Sequence, residues 1–302
     1  MLVYLNSYLN LDRFVWLDRT GKQLGTAGEA DTRYWPVLSP DGRTAVFSRN
    51  DPADLSKGDL WRLDTQPGTT SRVTFEGGCF PTAVWSPDGT QLAVAWVTRK
   101  TEIIPASGSG TPRILENGVL LSEVSDWSRD GRTLVANQQN SGTGMDVLTL
   151  DTSGMQPPTP ILHSQFDEML PRLSPDGRWL AYISNQSGRF ELYVVPFPGL
   201  NGRWQVSSSG ISPEVPSTVA WSRDGKQLYS RDTTGALTVV DVQTQGGEFY
   251  AGVPRQIFSP PGGVSGFDTA PDGRILALVP VEPEMSPPIT LVMNWDAELI
   301  KK

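Results

Sequence analysis

A short turn motif occurs six times in the chain at nearly constant spacing. Each copy contains Pro or Arg, then Asp-Gly, and the copies begin at Ser39, Ser86, Ser128, Ser174, Ser222 and Ala270. The aspartates of successive copies lie 47, 42, 46, 48 and 48 residues apart. A repeat period in the forties is typical of the blades of a β-propeller.

The chemistry of the motif explains why it recurs. Proline presets φ for the first corner of a turn, aspartate bonds nearby backbone amides, and glycine adopts a left-handed conformation without strain. Apolar runs such as Thr82–Trp85 precede the turn, and runs such as Trp179–Ile183 follow it. A fold needs the same device in every repeat, whereas a binding site is needed only once. We therefore predict a structural role for six aspartates: Asp41, Asp88, Asp130, Asp176, Asp224 and Asp272.

The fourth repeat predicts a complete blade. Its β-rich segments are 171–173, 179–184, 191–195 and 203–206. Four-stranded units repeated radially form a propeller. We predict an all-β, six-bladed propeller with four antiparallel strands per blade in one domain spanning 1–302. The expected divisions are closing strands in 1–33, blades at about 34–78, 79–119, 120–166, 167–212, 213–262 and 263–295, and a short tail at 296–302, with one or two helical turns.

Closure of the ring requires strands from both ends of the chain. We expect the second and third strands of the last blade at 275–279 and 289–295, and the fourth from 14–18 or 23–26. Since the N-terminal region has more strands than closure needs, a seventh, partial blade is the alternative. The first six residues are typical of a β-strand and not of a secretion signal, so we expect a part of a larger protein.

Composition excludes several classes of function. The net charge of −8 and pI near 4.8 argue against nucleic acid as a partner and against an anionic membrane surface. No apolar run of about 18 residues occurs, so we expect no membrane insertion. The single cysteine, Cys79, cannot form a disulfide within the chain, and we interpret it as a packed thiol.

We expect no cofactor, no metal and no catalytic residue. His163 is the only histidine, which leaves no histidine-metal site and no general base for a Ser-His-Asp site. Protein-kinase motifs are absent from the sequence. The loop 50–54 gathers Asp51 and Asp54, so calcium stays open, although a polar hairpin loop is the simpler interpretation.

Residues just before each innermost strand are the candidate binding residues. Connections into innermost strands ring one mouth of the central channel, and loops on a rigid scaffold commonly carry function. We expect a protein, a peptide or a small polar ligand as the partner. The mixture of aromatic residues and carboxylates suits a cationic or polyhydroxylated ligand or a basic peptide. The alternatives are packing of the aromatic residues between blades, and a hydrolase or lyase that uses two of the carboxylates. The candidates are Tyr34, Trp35, Phe80, Glu123, Asp126, Asp167, Glu168, Arg172 and Glu214.

The repeat resembles that of the TolB-like propeller family, in which a strand ending in Ser-Pro-Asp-Gly-Arg is followed by an apolar strand. Segments 174–199, 289–299 and 14–23 are similar to the C-terminal propellers of bacterial transmembrane serine/threonine protein kinases. This resemblance implies a non-catalytic sensor or scaffold within a signalling protein, on the extracytoplasmic side. Two repeats depart from the family motif by carrying Arg129 and Arg223 where proline is usual.

Overall fold

The computed structural model describes residues 2–4, 11–32, 34–51, 54–75, 77, 81–96, 100–115, 118–119, 121–213, 217–245, 247–281 and 290–292. Within these ranges all the secondary-structure elements are β-strands, which confirms the all-β prediction. None of the described residues belongs to a helix long and apolar enough to cross a membrane. The helical turns expected in the tail lie outside the described residues.

Six antiparallel sheets form the blades, as predicted, and the seven-bladed alternative is wrong. Each of the first three blades has four strands, ordered from the channel outward. They are β4 (Tyr34–Leu38), β5 (Thr44–Asp51), β6 (Asp54–Asp64) and β7 (Thr70–Arg72) in blade 1; β8 (Thr82–Trp85), β9 (Gln91–Ala95), β10 (Thr101–Pro105) and β11 (Arg113–Leu115) in blade 2; and β12 (Glu123–Trp127), β13 (Thr133–Asn140), β14 (Gly144–Asp151) and β15 (Thr159–Leu162) in blade 3.

The other three blades follow the same order, and N-terminal strands complete the last one. They are β16 (Glu168–Leu173), β17 (Trp179–Ser184), β18 (Glu191–Pro196) and β19 (Trp204–Gln205) in blade 4; β20 (Val219–Trp221), β21 (Gln227–Arg231), β22 (Leu237–Gln245), β23 (Glu248–Ala251) and β24 (Arg255–Phe258) in blade 5; and β25 (Gly266–Thr269), β26 (Ile275–Pro280), β2 (Asp12–Leu17) and β3 (Gln23–Asp31) in blade 6. In blade 5, β23 and β24 share the outer edge of β22.

The core lies between blades. Six clusters of buried apolar side chains each combine residues of two neighbouring blades, so the clusters follow the ring without a break. In the cluster between blades 4 and 5, for example, Trp179 packs against Phe249 with ring centroids 5.3 Å apart. The innermost strands of successive blades also contact each other around the channel. Each blade is therefore stabilised by both of its neighbours.

Closure uses two N-terminal strands instead of the one that we expected. β2 pairs with β26 along its full length and β3 pairs with β2, so these two are the third and fourth strands of blade 6. The expected third strand at 289–295 is wrong, because its described part, β27 (Thr290–Val292), pairs with β1 (Leu2–Tyr4) in a separate ribbon.

Burial explains the assignment of β2 to the interior position. Phe14 and Trp16 face the core shared with blade 1, while Val15 and Leu17 face the core shared with blade 5. A strand that is buried on both faces needs apolar residues along its buried stretch. Residues 14–17 of β2 are all apolar. By contrast, most residues of β3 are exposed or half-buried, which suits an outer strand.

The turn between β2 and β3 also fixes the closing hairpin to blade 5. Gly21 has a φ of 88°, and a Cβ atom at this position would lie 1.9 Å from the carbonyl oxygen of Ile257 in β24. Only glycine permits this close approach of two backbones. The hairpin is thus held by strand pairing in blade 6 and by backbone contact with blade 5.

The repeated turns share one network of hydrogen bonds. In the first turn, the Ser39 hydroxyl donates to Asp41 Oδ1 (2.6 Å) and accepts from the Thr44 amide (3.1 Å). The Arg43 amide donates to the same Asp41 oxygen (3.0 Å). Equivalent bonds occur in the turns of blades 2 to 5. In blade 6, Ala270 replaces the serine, and Asp272 accepts from the Arg274 amide and side chain.

The innermost strands of blades 1 and 4 contain the same irregularity. Trp35 has a φ of 58° and Leu170 a φ of 55°, and each precedes a proline. The pairing register shifts at both places, so each is a β-bulge that rotates the residues after it. Asn137 of blade 3 supports the bulge in blade 4, since its side-chain oxygen accepts a hydrogen bond from the Leu170 amide (2.9 Å).

Replacing Asp130 by alanine is predicted to destabilise the protein by about 1 kcal/mol at pH 7, because the turn loses a shared acceptor. The Ser128 hydroxyl is the largest cause that lowers the pKa of Asp130 in the folded state. The stabilisation is therefore complete above the unfolded pKa and disappears as the pH falls through the folded one. Urea unfolding at pH 7 and pH 3 measures both effects. Glu29→Ala, at an exposed position of β3, is the control; equal losses in the two variants would contradict the prediction.

Phe14→Ala is predicted to cost about 3 kcal/mol, because it leaves a cavity in the core between blades 6 and 1. Phe14 is fully buried, and its ring lies 5.5 Å from that of Phe47. Since β2 closes the ring, far-UV circular dichroism and tryptophan fluorescence should report one coincident, earlier transition. Leu24→Ala, at a side chain 53% exposed in the same hairpin, should change stability by less than about 0.5 kcal/mol. A separate early transition of one blade would disprove the role of β2.

Candidate functional site

A cavity occupies one end of the central channel. This end, which we name the turn end, is where the innermost strands finish and the repeated turns begin. The cavity has a volume of about 410 Å³, and all six blades contribute to its wall. The lining residues are Pro36, Val37, Leu38, Pro40, Val84, Trp85, Pro87, Ser125, Asp126, Trp127, Arg129, Arg172, Leu173, Ser174, Pro175, Val219, Ala220, Trp221, Arg223, Phe267, Asp268 and Thr269.

Two aspartates of this wall connect neighbouring innermost strands. Asp126 accepts hydrogen bonds from the amides of Trp127 and, in the next blade, Leu173, both at 2.8 Å. Asp268 occupies the same repeat position in blade 6, and it accepts from the amides of Thr269 and Leu38, both at 2.7 Å. Burial raises the pKa of Asp126, and the nearby Arg172 opposes the rise. Both carboxylates therefore have a structural task at the boundary between two blades.

Three arginines lie on the wall formed by blades 3, 4 and 5. Arg172 Nε donates to the Val219 carbonyl (3.2 Å), and Arg223 Nε donates to the Thr269 carbonyl (3.1 Å). Arg129 Nη1 lies 3.5 Å from the Pro175 carbonyl, and Arg223 Nη2 lies 3.9 Å from Asp268 Oδ2. Each guanidinium thus extends from its own blade to the next. The opposite wall, in blades 1 and 2, is formed by apolar side chains and prolines.

Tryptophans at one repeat position add bonds between blades. Trp85 Nε1 donates to the Val37 carbonyl (3.0 Å), and Trp221 Nε1 donates to the Arg172 carbonyl (3.1 Å). Trp127 holds the same position in blade 3, but its buried indole N–H has no acceptor among the described residues. The boundary between blades 2 and 3 therefore lacks a bond that two other boundaries have.

Glu123 is a buried carboxyl group next to this wall. Its Oε1 accepts from the Ser125 hydroxyl (2.5 Å), and Arg172 acts on it through its charge. Burial is the largest influence and raises the pKa of Glu123 to about 7. Near neutral pH, this group exchanges a proton in the interior of the propeller.

The structure does not bring the other predicted residues to the cavity. Tyr34 is exposed and Trp35 half-buried, with ring centroids 6.1 Å apart. Asp167 accepts from the Met145 amide and the Asn185 side chain, both at 2.9 Å. These bonds direct it to the boundary between blades 3 and 4.

Glu168 is buried, and its carboxylate accepts from the amide and hydroxyl of Ser164 in the preceding loop. Burial raises its pKa. Of the nine candidates, only Asp126 and Arg172 line the cavity as far as the described residues define it. Phe80 and Glu214, like Cys79, lie outside the described residues.

No metal-binding arrangement is found in the described part of the chain. His163 is exposed, and no group of three or more described histidine, cysteine, aspartate or glutamate side chains is placed to hold a metal ion. In the loop considered for calcium, Asp54 forms an ion pair with Lys57 (3.0 Å). Pro52 and Ala53 lie outside the described residues.

Asp268 and the positions of Arg129 and Arg223 in the site were not predicted from the sequence. Alignment of the six repeats would have found them. The residue two places before the motif lines the channel in every blade, and the second motif residue lines it in five blades. Charged residues at these positions are departures from the repeat, and they are visible in the sequence.

Glu123→Gln is predicted to stabilise the protein at pH 8 and to have little effect at pH 5. A folded pKa of about 7, above the ordinary 4.5, means that the folded state resists ionisation of Glu123. Wild-type stability therefore falls as the pH rises from 4.5 to 7, by an amount on the order of 3 kcal/mol. Urea unfolding of both proteins at pH 5, 6, 7 and 8 measures this difference. A gap that stayed constant with pH would refute the assignment.

Comparison with curated proteins gives only partial likeness. No family model matches the chain. An uncharacterized protein of Agrobacterium fabrum is 28% identical over 173 residues, which cover 54% of this chain and 55% of that protein. The aligned stretch therefore spans about half of the length of this relative.

Solved structures are similar over most of the chain. A structure from Agrobacterium tumefaciens described as TolB matches with a TM-score of 0.67 and 18% identity, over 91% of this chain and 100% of that one. TolB from Acinetobacter baumannii matches with 0.61 and 13%, over 90% and 64%. A Bacteroides uniformis protein described as a 6-phosphogluconolactonase matches with 0.55 and 16%, over 89% and 88%. At these identities the comparison shows a shared fold, the TolB-like propeller.

Proposed function

We propose that the chain is a non-catalytic binding propeller that holds a protein or peptide partner at the turn end of its channel. The observation that carries this proposal is the cavity of about 410 Å³, with an apolar wall on one side and arginines on the other. Concave sites with apolar surface and a few convergent polar groups are the usual form of a binding site. The rigid ring of blades presents this surface with little loss of conformational entropy on binding.

The hydrogen bonds of the cavity favour binding over catalysis. Asp126 and Asp268 accept main-chain amides across blade boundaries, so a reaction that protonated them would weaken the ring. The only histidine, His163, is exposed and absent from the lining. These features support a site that recognises a partner and leaves it chemically unchanged.

The wider role follows from the sequence resemblance to kinase propellers. We propose that this binding propeller is the sensor or scaffold part of a larger signalling protein and works on the extracytoplasmic side of the membrane. Neighbours of the TolB type support this context, and the net charge of −8 speaks against nucleic acid as the partner.

A hydrolase or lyase is the second candidate function, and Glu123 is the observation that favours it. A carboxyl with a pKa near 7 beside an arginine is suited to general acid–base chemistry. In this case Glu123 would exchange the proton, and Arg172 would stabilise negative charge. A small polar ligand would then replace the protein partner.

Selection from a library of random displayed dodecapeptides tests the binding function. Val37, on the apolar wall, is half-buried, so Val37→Trp should fill part of the cavity. Peptides selected on the wild-type protein are predicted to bind this variant at least tenfold more weakly. Leu24→Trp, on the outer strand β3, is the matched control and should bind normally.

Two results would reject the binding function. The first is a selection in which every peptide binds the Val37→Trp variant as well as the wild type. The second is turnover in a broad hydrolase and lyase substrate screen that Glu123→Gln abolishes, which would favour the enzyme.

A further inference from the structure

We propose that the turn end of the channel selects a partner segment that carries carboxylate groups, and that Arg129 and Arg223 recognise them. This inference rests on the proposed binding function and names the chemistry of the partner. The second position of the repeated motif carries the first observation. Four copies have proline there, whereas the copies of blades 3 and 5 have arginine.

The fold alone does not require these two arginines. Proline serves the turn at this position in the other blades, at Pro40, Pro87, Pro175 and Pro271. The hydrogen bonds of the turn come from the serine, the aspartate and the backbone, and they are the same in turns with arginine and with proline. With arginine at this position, a long charged side chain replaces a rigid proline, and the turn gains no hydrogen bond of its own.

The positions of the two arginines in the ring are the second observation. Arg129 and Arg223 lie on either side of Pro175, in the blades that flank blade 4, and Arg172 lies between them on the channel wall. Arg129 and Arg223, which we name the rim arginines, are both exposed, and the side chain of Arg223 is 38% accessible. Three arginines from neighbouring blades thus line a single cavity.

The two aspartates of the cavity offset only part of this positive charge, since the lining has three arginines and two aspartates. Asp268 Oδ2 lies 3.9 Å from Arg223 Nη2. Both oxygens of Asp126 and both oxygens of Asp268 accept main-chain amides. Arg129 and Arg223 donate to carbonyl oxygens through one or two of their five N–H groups. Guanidinium groups bind carboxylates through paired hydrogen bonds. The partner that complements this side is therefore an acid.

A second cavity continues from the first across the turn of blade 4. Its volume is about 810 Å³, and it shares Arg129, Pro175 and Arg223 with the channel cavity. Arg19 and Lys226 also line it, together with Asp176, Asp224 and Asp241, and Arg19 forms an exposed ion pair with Asp224 (3.2 Å). The two cavities therefore meet at Arg129 and Arg223. An acidic peptide can extend from one cavity into the other past the rim arginines.

Fluorescence anisotropy with three labelled decapeptides tests the proposal. The probes are five repeats of Pro-Glu, of Pro-Gln and of Pro-Lys, which share an extended, soluble backbone. The acidic peptide is predicted to bind the wild-type protein at least tenfold more tightly than the other two, and its affinity should fall as salt rises.

The double variant Arg129→Pro, Arg223→Pro restores the residue that the other copies carry, so it is expected to fold. It should lose at least tenfold in affinity for the acidic peptide and keep the circular dichroism spectrum of the wild type. Arg178→Gln is the matched control. Arg178 belongs to the turn of blade 4, pairs with Asp176 and lines neither cavity, so the acidic peptide should bind this variant like the wild type.

Several results would overturn the proposal: equal binding of the three probes, preference for the Pro-Lys peptide, no binding of the acidic peptide at low salt, or equal losses in the double variant and Arg178→Gln. These failures are distinguishable from failure of the binding function. If library peptides still depend on Val37 while showing no preference for acids, the binding function stands and the carboxylate preference is wrong.

Discussion

Closure of the ring is the constraint on which the rest of the structure depends. The pairing of β2 with β26 joins the N-terminal hairpin to the last blade, and it places Phe14 and Val15 in two different inter-blade cores. Since every core lies between two blades, an open ring would expose two apolar faces at once. The channel and its cavity exist only because six blades face one axis, so closure is also a condition for the site.

Features of the fold that depend on local chemistry could be predicted from the sequence. The Ser-Pro-Asp-Gly turns and the four strands of blade 4 follow from residues close together in the chain, and the structure has them where expected. The closing strands could not be predicted in the same way. Apolar segments occur near both ends of the chain. The segment that pairs with β26 is the one that can be buried on both faces, and burial on both faces depends on contacts between distant blades.

The lining of the cavity was harder to predict, because it depends on the direction of side chains. Bulges at Trp35 and Leu170 and a register shift within β12 change which residues of the innermost strands face the channel. Simple alternation along a strand therefore fails there. The expected mouth is the end where the innermost strands begin, whereas the cavity lies where they end. The sequence shows Arg129 and Arg223 as departures from the repeat, but their common position is clear only from the ring.

The bonds around the channel follow an approximate two-fold axis that relates blades 1–3 to blades 4–6. Bulges at Trp35 and Leu170, indole bonds of Trp85 and Trp221, and carboxylate bonds of Asp126 and Asp268 are the three related pairs.

The arginines break this symmetry. Val37 corresponds to Arg172, Pro87 to Arg223, and Pro271 to Arg129. The backbone of the channel is thus nearly two-fold symmetric, whereas the distribution of charge along its wall is not. A partner that enters the turn end meets a polarised surface, so only one of two rotationally related poses brings its charged groups to the guanidinium side. For the partner that we propose, the channel would therefore set the rotational orientation as well as the preferred charge.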